Sequence, residues 1–346
     1  MAKRHVNIPV FIPHLGCPNT CVFCNQRTIS GVQRFDISEV GRQIEEALLT
    51  VSPDVECEIA FFGGSFTGIE RDLMISLLEI SRKYLESGRV SSVRCSTRPD
   101  YIDEDILDIL EKYGVKTIEL GLQSTSEQVL SRTKRGHGFD AERRACELIV
   151  NRGFSLIGQM MIGLPESTLE DELATAEFII ASGASAARIY PTVVFRDTEL
   201  CKMVRDGEYQ PLELYDAISR SAAVTRLFYN SNVKIVRIGL CASENLSGAD
   251  TYFAGPNHPA LGELVLGEVY YLNIKEHLDR LDIEKNDTVT VKVAKGQLSK
   301  AIGQKKKNRL KLLSEFELRD IRFVESDDIE NYDVRIEREE RTYRCI

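Results

Sequence analysis

The sequence predicts an α/β protein: a partial (β/α)6 barrel followed by a small α+β domain. Short apolar strands alternate with helices over roughly the first 240 residues, and this alternation implies parallel pairing with right-handed crossovers. Glycines bound the strands and polar side chains follow their ends, which suits a barrel whose functional site lies at the carboxyl rim. About six such units fit an incomplete barrel better than an open sheet, although the pattern alone is compatible with either.

The first four predicted strands are separated by helices with apolar residues at helical spacing. Pro99 stops the third strand, and Asp103 can cap the helix after it, which runs to Tyr113. The strands are predicted at Val6–Ile12, Cys57–Phe62, Val93–Thr97 and Thr117–Leu122, with helices at Val40–Val51 and Leu73–Leu85.

The second half of the predicted barrel continues the alternation and adds two capping signals. Ser124 with Glu127, and Ser167 with Glu170, have the spacing of a capping box at the start of a helix. The second of these helices runs through Ile180. The other predicted elements are helices at Ala141–Asn151 and Leu212–Phe228 and strands at Ser155–Ile162, Ala187–Pro191 and Val233–Leu240.

A turn between Pro256 and Pro259 predicts a domain boundary. We expect a core domain at residues 1–255 and a smaller α+β domain at residues 256–346, which is more charged. Within the smaller domain, a strand is predicted at Val289–Val293 and a helix at Asn308–Phe316.

The composition favours a cytoplasmic globular protein. The chain has 346 residues, of which 43% are hydrophobic, and a net charge of −9. No apolar run has the length needed to cross a bilayer, and the amino terminus lacks the apolar stretch and cleavage site of a signal peptide. Because an acidic chain does not attract nucleic acid as a whole, any RNA contact requires a local basic patch.

Three cysteines on one loop form the strongest motif. Cys17, Cys21 and Cys24 have the spacing Cys-x3-Cys-x2-Cys and directly follow the first strand. Three thiolates can each bind one iron of a cubane cluster, which leaves the fourth iron open to a substrate or cofactor. Phe23, beside the third cysteine, is placed to shield the cluster from water.

The alternative is a zinc site completed by His14 or His5, or a loop of inert thiols. Structural zinc sites usually close with four ligands, and the sequence has no second Cys-x2-Cys pair. An odd number of cysteines in a large chain is also unlike a disulfide framework. We therefore predict that the remaining cysteines are ordinary core residues: Cys57, Cys95, Cys146, Cys201, Cys241 and Cys345.

With this loop, the sequence resembles the radical S-adenosylmethionine (SAM) superfamily. The resemblance implies a partial barrel, a [4Fe–4S] cluster and SAM bound to the open iron. It also implies reductive cleavage of SAM to a 5′-deoxyadenosyl radical, with electrons from a reductant such as ferredoxin or flavodoxin. The cofactors carry the chemistry and the protein orients them.

Residues after the other strands are candidates for the SAM site. Gly63 and Gly64 allow close backbone approach and resemble the family's Gly-Gly-Glu segment. Ser65 stands in place of the glutamate and is also a candidate contact of SAM. Arg98 has the charge to pair with Asp100 or with the SAM carboxylate. The remaining candidates, for which capping, surface pairing or core packing is the alternative, are Glu119, Gln123 and Gly163. No catalytic acid or base is predicted.

Three segments resemble the radical SAM domain of the Elongator catalytic subunit, a tRNA uridine modification enzyme. They are Ser96–Tyr101, Arg132–Gly138 and Arg188–Tyr209, and the similarity covers residues 5–245. Those enzymes carry an acetyltransferase domain after the radical SAM domain, and this chain ends too soon for one. We therefore do not expect dependence on acetyl-CoA to carry over.

A basic segment in the smaller domain is a candidate RNA contact. Gly303-Gln304-Lys305-Lys306 resembles the loop of KH domains that clamps a nucleic-acid backbone, with Lys306 in place of the second glycine. The alternative is a solvated basic turn. The predicted phosphate contacts are Lys305, Lys306, Lys307 and Arg309.

The leading hypothesis is therefore a radical SAM enzyme that modifies RNA, with tRNA as its partner. The second hypothesis keeps the enzyme and gives it a small-molecule substrate, as in radical SAM enzymes of the coproporphyrinogen type. The third is a non-catalytic RNA-binding adaptor stabilised by metal.

Overall fold

The structure is a computed structural model. It describes residues 5–12, 15–17, 21–25, 34–52, 54–240 and 250–339. Several residues that entered the predictions lie outside the described ranges: His14, Cys241 and Cys345.

Seven parallel strands curl into a half-barrel, which confirms the predicted fold class. Neighbouring strands follow the chain order β1-β2-β3-β4-β5-β6-β8, so each crossover returns the chain to the next position in the sheet. Their carboxyl ends consequently share one rim. The strands are β1 His5–Phe11, β2 Glu56–Phe62, β3 Ser92–Thr97, β4 Val115–Gln123, β5 Ser155–Ile162, β6 Ala186–Pro191 and β8 Lys234–Ile238. Two short strands, β7 Val194–Phe195 and β9 Tyr252–Ala254, form a separate antiparallel pair.

Helices connect these strands, and two of the predicted helix starts were wrong. The capping box before the helix at Leu169–Ala181 is formed by Thr168 and Asp171. It begins one residue later than the predicted box of Ser167 and Glu170. Ser124 bonds to the backbone of Ser126 instead of capping a helix. The helices are α1 Val40–Thr50, α2 Arg71–Glu86, α3 Glu104–Lys112, α4 Glu127–Arg132, α5 Phe139–Asn151, α6 Leu169–Ala181, α7 Glu199–Arg205 and α8 Leu214–Asn230.

The chain divides into two compact units. The first comprises Met1–Glu213 and Leu227–Asn257, and the second comprises Leu214–Arg226 and His258–Ile346. The break after Asn257 lies beside the predicted boundary, but the assignment of Leu214–Arg226 to the second unit was not predicted. None of the described helices is long and apolar enough to span a lipid bilayer.

The second unit combines a three-stranded mixed sheet with helices. Strand β10 (Thr288–Ala294) lies in the centre, parallel to β11 (Asp320–Ser326) and antiparallel to β12 (Val334–Arg338). The unpredicted helix α9 (Leu261–Arg280) packs on this sheet. Its buried residues surround the helix instead of forming a single stripe, so the periodic signal is weak. Helices α10 (Leu298–Ile302) and α11 (Lys307–Glu315) connect β10 to β11.

A charged network crosses the interior of the half-barrel. Gly158 faces helix α6, because a Cβ there would meet Ile179, so the next residue on β5, Gln159, faces inward. Gln159 donates to Glu119 at 2.9 Å, and Arg188 donates to the same carboxylate at 2.7 and 3.0 Å. Glu119 is 1% exposed, so the network lies inside the fold.

The network continues to the first strands through Arg94. This guanidinium donates to Glu119 at 3.1 Å and to Glu58 at 2.8 Å. Burial acts to raise the pKa of Glu58, but bonds from Ser92, Arg94 and His5 together hold that pKa below its usual value. Glu58 is therefore charged, and its hydrogen bonds tie β1 to β2 and β3.

Replacing Glu58 by glutamine should destabilise the barrel, because Arg94 would lose one of its two buried counterions. Removal of one partner from a buried ion pair leaves an uncompensated charge, and we expect a loss of about 3 kcal/mol. Urea unfolding followed by circular dichroism measures the change. The exposed Glu56 on the same strand is the matched control, and Glu56→Gln should leave the midpoint unchanged. A wild-type midpoint for Glu58→Gln would contradict this assignment.

Candidate functional site

The cysteine loop packs against the glycine segment that follows β2. A Cβ on Gly16 would collide with the carbonyl oxygen of Ser65, and a Cβ on Gly64 would collide with that of Leu15. Gly63 has a φ of 97°, which favours glycine. The contact of Gly63 and Gly64 with SAM stays a prediction. The close approach of these glycines to Ile12 and Leu15 is enough to explain why glycine is needed at both positions.

The three thiols are not in disulfide bonds, are partly exposed and have different neighbours. The Cys17 sulfur lies 3.3 Å from the hydroxyl of Ser65, and the backbone amide of Cys24 donates to the carbonyl of Cys21 at 3.2 Å. Among the described residues, no three His, Cys, Asp or Glu side chains are gathered as a ready-made metal site. Binding of a cluster by these cysteines would therefore require the loop to bring the three sulfurs together.

Two guanidinium groups lie against Cys21. The Nη1 atom of Arg135 is 3.2 Å from its sulfur, and the Nη1 atom of Arg98 is 3.7 Å away. The arginines are only 4% and 5% exposed, respectively. Free thiols beside buried cations suit an anionic iron–sulfur cluster, because hydrogen bonds to the sulfurs and nearby charge stabilise such a centre.

Arg98 pairs with Asp100, which is one of the two partners predicted for it. It forms a two-pronged ion pair with Asp100 at 2.9 and 2.8 Å and also donates to the carbonyl of Arg135. Burial acts to lower the pKa of Arg98, and the pair with Asp100 more than offsets this. A contact between Arg98 and the SAM carboxylate stays a prediction.

Arg135 is a residue that the sequence did not single out. Its Nη2 atom donates to the carbonyl of Gly121, near the end of β4, while its buried Nε atom has no hydrogen-bond partner among the described residues. The turn that directs Arg135 inward has positive φ at Lys134 and Gly136, with values of 55° and 79°. The only signal in the sequence was its position in the segment Arg132–Gly138.

Two further titratable groups, His137 and Glu142, are buried beside Arg135. Burial, followed by the charge of Arg135, lowers the pKa of His137 to about 4. Burial raises the pKa of Glu142 well above its ordinary value. The two side chains approach each other to 3.8 Å, and burial favours the neutral form of each. The charged groups that contact Cys21 are Arg98 and Arg135, and Asp100 is paired with Arg98.

The remaining predicted SAM contacts are distributed along the barrel. Glu119 lies in the middle of β4, with its carboxylate in the interior network. Gln123 ends that strand, and its buried side-chain oxygen has no hydrogen-bond partner among the described residues. Gly163 donates from its backbone amide to Glu172 at 2.6 Å and accepts from the hydroxyl of Tyr209 at 2.5 Å. The contact of Gln123 with SAM therefore stays a prediction, and its oxygen can still accept a hydrogen bond.

Comparison with known proteins assigns the chain to a family. Residues 11–179 match the radical SAM superfamily, and residues 184–271 match the radical SAM C-terminal domain. The uncharacterized protein MJ0486 of Methanocaldococcus jannaschii is 30% identical over 229 residues, which are 63% of this chain and 70% of that protein. The chain belongs to the radical SAM superfamily, whose members are enzymes that use a [4Fe–4S] cluster and SAM.

Other relatives include a tRNA uridine(34) acetyltransferase and an Elongator complex protein, which the chain matches only in part. The tRNA uridine(34) acetyltransferase of Methanocaldococcus infernus is 29% identical over 51% of this chain and 37% of that enzyme. The Elongator complex protein 3 of Schizosaccharomyces pombe is 25% identical over 61% of this chain and 47% of that protein. The chain thus spans less than half the length of either relative.

A solved structure shares the fold. The archaeal Elp3 of Methanocaldococcus infernus, with residues 1–46 deleted, superposes with a TM-score of 0.63 and 23% sequence identity. The superposition covers 80% of this chain and 64% of that one. This similarity confirms the half-barrel and carries no statement about the substrate.

We propose that Cys17, Cys21 and Cys24 ligate the cluster. Cys21→Ser should greatly reduce bound iron and abolish release of 5′-deoxyadenosine, because a weaker oxygen ligand would replace one of only three thiolates. Iron analysis and chromatography of a reaction with SAM and dithionite measure both. The buried Cys95 provides the control, since Cys95→Ser should keep the cluster. Full iron content and product in the Cys21 variant would exclude it as a ligand.

Proposed function

We propose that this radical SAM enzyme modifies RNA, with tRNA as the substrate class. The observation that carries the proposal is an exposed, rigidly held turn of three consecutive lysines in the second unit. The tRNA-modifying relatives support the same substrate class. A cluster held by Cys17, Cys21 and Cys24 would supply the electron for reductive cleavage of SAM, and the remainder of the chain would bind and orient the RNA.

The lysine turn, defined as Gly303–Lys307, separates α10 from α11. Lys305 and Lys306 both adopt left-handed backbone conformations, with φ of 53° and 60°, which non-glycine residues rarely adopt without support. Residues 304–307 are exposed. The turn therefore presents its positive charges to solvent from a fixed backbone.

Asn308 supplies that support from beneath the turn. This buried side chain donates to the carbonyl of Gly267 at 2.7 Å and to that of Ala301 at 3.2 Å. A Cβ on Gly303 would collide with Asn308, so glycine is required at the first position of the turn. A pre-formed turn loses little conformational entropy on binding, which favours contact with a phosphate backbone.

Arg309 has a different role from the lysines. It is partly buried, pairs with Asp320 at 2.7 Å and donates to the carbonyl of Ile321 at 3.2 Å. These bonds join α11 to β11. We therefore assign phosphate contact to Lys305, Lys306 and Lys307, and a mainly structural role to Arg309.

A cavity of about 580 Å³ opens beside the lysine turn within the second unit. Tyr215 lies on its wall, is half exposed, and has the ammonium group of Lys307 4.7 Å from its ring centre. Exposed aromatic rings beside cations are the usual platforms on which unpaired RNA bases stack. The cavity thus fits an unpaired nucleotide whose phosphate lies on the lysine turn.

Removing charge from the turn should weaken tRNA binding. The double variant Lys305→Asn/Lys306→Asn keeps side chains that tolerate left-handed backbone. We expect roughly tenfold weaker binding and a decrease of about 1 to 2 in the slope of log K against log salt. Fluorescence anisotropy with labelled tRNA at several salt concentrations measures both quantities.

The matched control removes the same charge from exposed lysines elsewhere in the second unit. Lys285→Asn/Lys295→Asn should bind tRNA like the wild type. Equal affinity and equal salt slopes for both double variants and the wild type would argue against an RNA interface at the lysine turn.

The substrate class is tested directly in cells. Deletion of the gene should remove one modified nucleoside from tRNA hydrolysates analysed by mass spectrometry. The wild-type gene should restore it, and the Cys21→Ser variant should not. Identical tRNA nucleosides with and without the gene, together with a changed small metabolite, would instead favour a small-molecule substrate.

A further inference from the structure

Arg135 is a buried cation that lacks a carboxylate partner among the described residues. Within the described part of the chain, its guanidinium donates to the carbonyl of Gly121 and to the sulfur of Cys21. The carboxylate of Asp100 is paired with Arg98, and burial raises the pKa of Glu142 more than the charge of Arg135 lowers it. A buried charge is strongly unfavourable without a counterion, so Arg135 requires an anion at Cys21.

Arg98 reinforces this positive field. It is the second guanidinium near the Cys21 sulfur, and it is linked to Arg135 through the carbonyl of that residue. Among the described groups joined to Cys21 by these contacts, two guanidiniums face the one carboxylate of Asp100, which is an excess of one positive charge. The interior of a protein screens this charge weakly, so its effect on a neighbouring centre is large.

We propose that Arg135 is a positioning residue that acts through Cys21 to raise the reduction potential of the [4Fe–4S] cluster. In this reaction one electron passes from an external one-electron donor protein to the oxidised cluster, and no bond forms or breaks. The reduced cluster carries one more negative charge, so a nearby cation stabilises it more than the oxidised form. Hydrogen bonds to the cluster sulfurs and nearby charge are known determinants of such potentials.

The proposal assigns Arg135 and Asp100 opposite effects. Arg135→Gln removes the uncompensated cation and should lower the potential. Asp100→Asn removes the carboxylate that neutralises Arg98, keeps one of the two oxygens that accept its hydrogen bonds, and should raise the potential. General damage to the site would not shift the two variants in opposite directions.

The experiment is a redox titration of the reconstituted full-length protein, without SAM or RNA, followed by electron paramagnetic resonance of the reduced cluster. At a fixed potential, we expect the ratio of reduced to oxidised cluster to fall about tenfold in Arg135→Gln, equivalent to a shift of about 59 mV for a one-electron couple. Asp100→Asn should increase the ratio. The control is Arg132→Gln, which removes a surface arginine three residues away that pairs with Glu208 and should leave the ratio unchanged.

A wild-type potential in Arg135→Gln, with full iron content, would overturn the proposal. If that variant does not bind iron, Asp100→Asn decides, and an unchanged or lower potential overturns the proposal. The inference rests on Cys21 being a ligand. Failure of the wild-type protein to bind a cluster would refute the ligand assignment, whereas an unshifted variant would refute only the role of Arg135.

Discussion

The candidate site depends on the packing of one loop against the strand ends of the half-barrel. Gly16 and Gly64 allow the cysteine loop to approach the segment after β2 more closely than any side chain would permit. Ser65 then meets Cys17, and the buried arginines meet Cys21. Backbone contacts and buried charges thus place the thiols at the rim. Among the described residues, the three sulfurs are not yet gathered as a set of metal ligands.

The charged side chains inside the half-barrel are paired differently from those at its rim. Inside the sheet, every carboxylate of the network faces a guanidinium, as Glu119 does between Arg94 and Arg188. At the rim this balance ends, because Arg135 meets a thiol instead of a carboxylate. A charge that the fold leaves uncompensated is costly, and it marks the place where an anionic cofactor fits.

Much of the fold could be predicted because strands and helices leave local patterns. Strand β5 has the predicted bounds, Ser155–Ile162, since its apolar run ends in a glycine. Helix α9 escaped prediction because tertiary packing buries several of its sides, which weakens the periodic pattern. The capping box at Thr168 was misplaced by one residue, since Ser167 offers a similar side chain.

The candidate site could be predicted from the sequence only where its residues lie close together along the chain. The cysteine spacing pointed to the loop, whereas Arg135 reaches Cys21 from 114 positions away through a turn that sequence spacing does not reveal. The left-handed backbone of Lys305 and Lys306 was equally hidden, because lysine seldom adopts it. Such features depend on support from distant residues, here Asn308.

The central claim is that three cysteine ligands leave one iron of the cluster free to bind SAM. Electron paramagnetic resonance of the reduced protein, recorded before and after addition of SAM, tests this most directly. Direct coordination predicts a change in the g values when SAM is added. Spectra that are identical with and without saturating SAM, or a purified protein that holds four-coordinate zinc in place of iron, would contradict it.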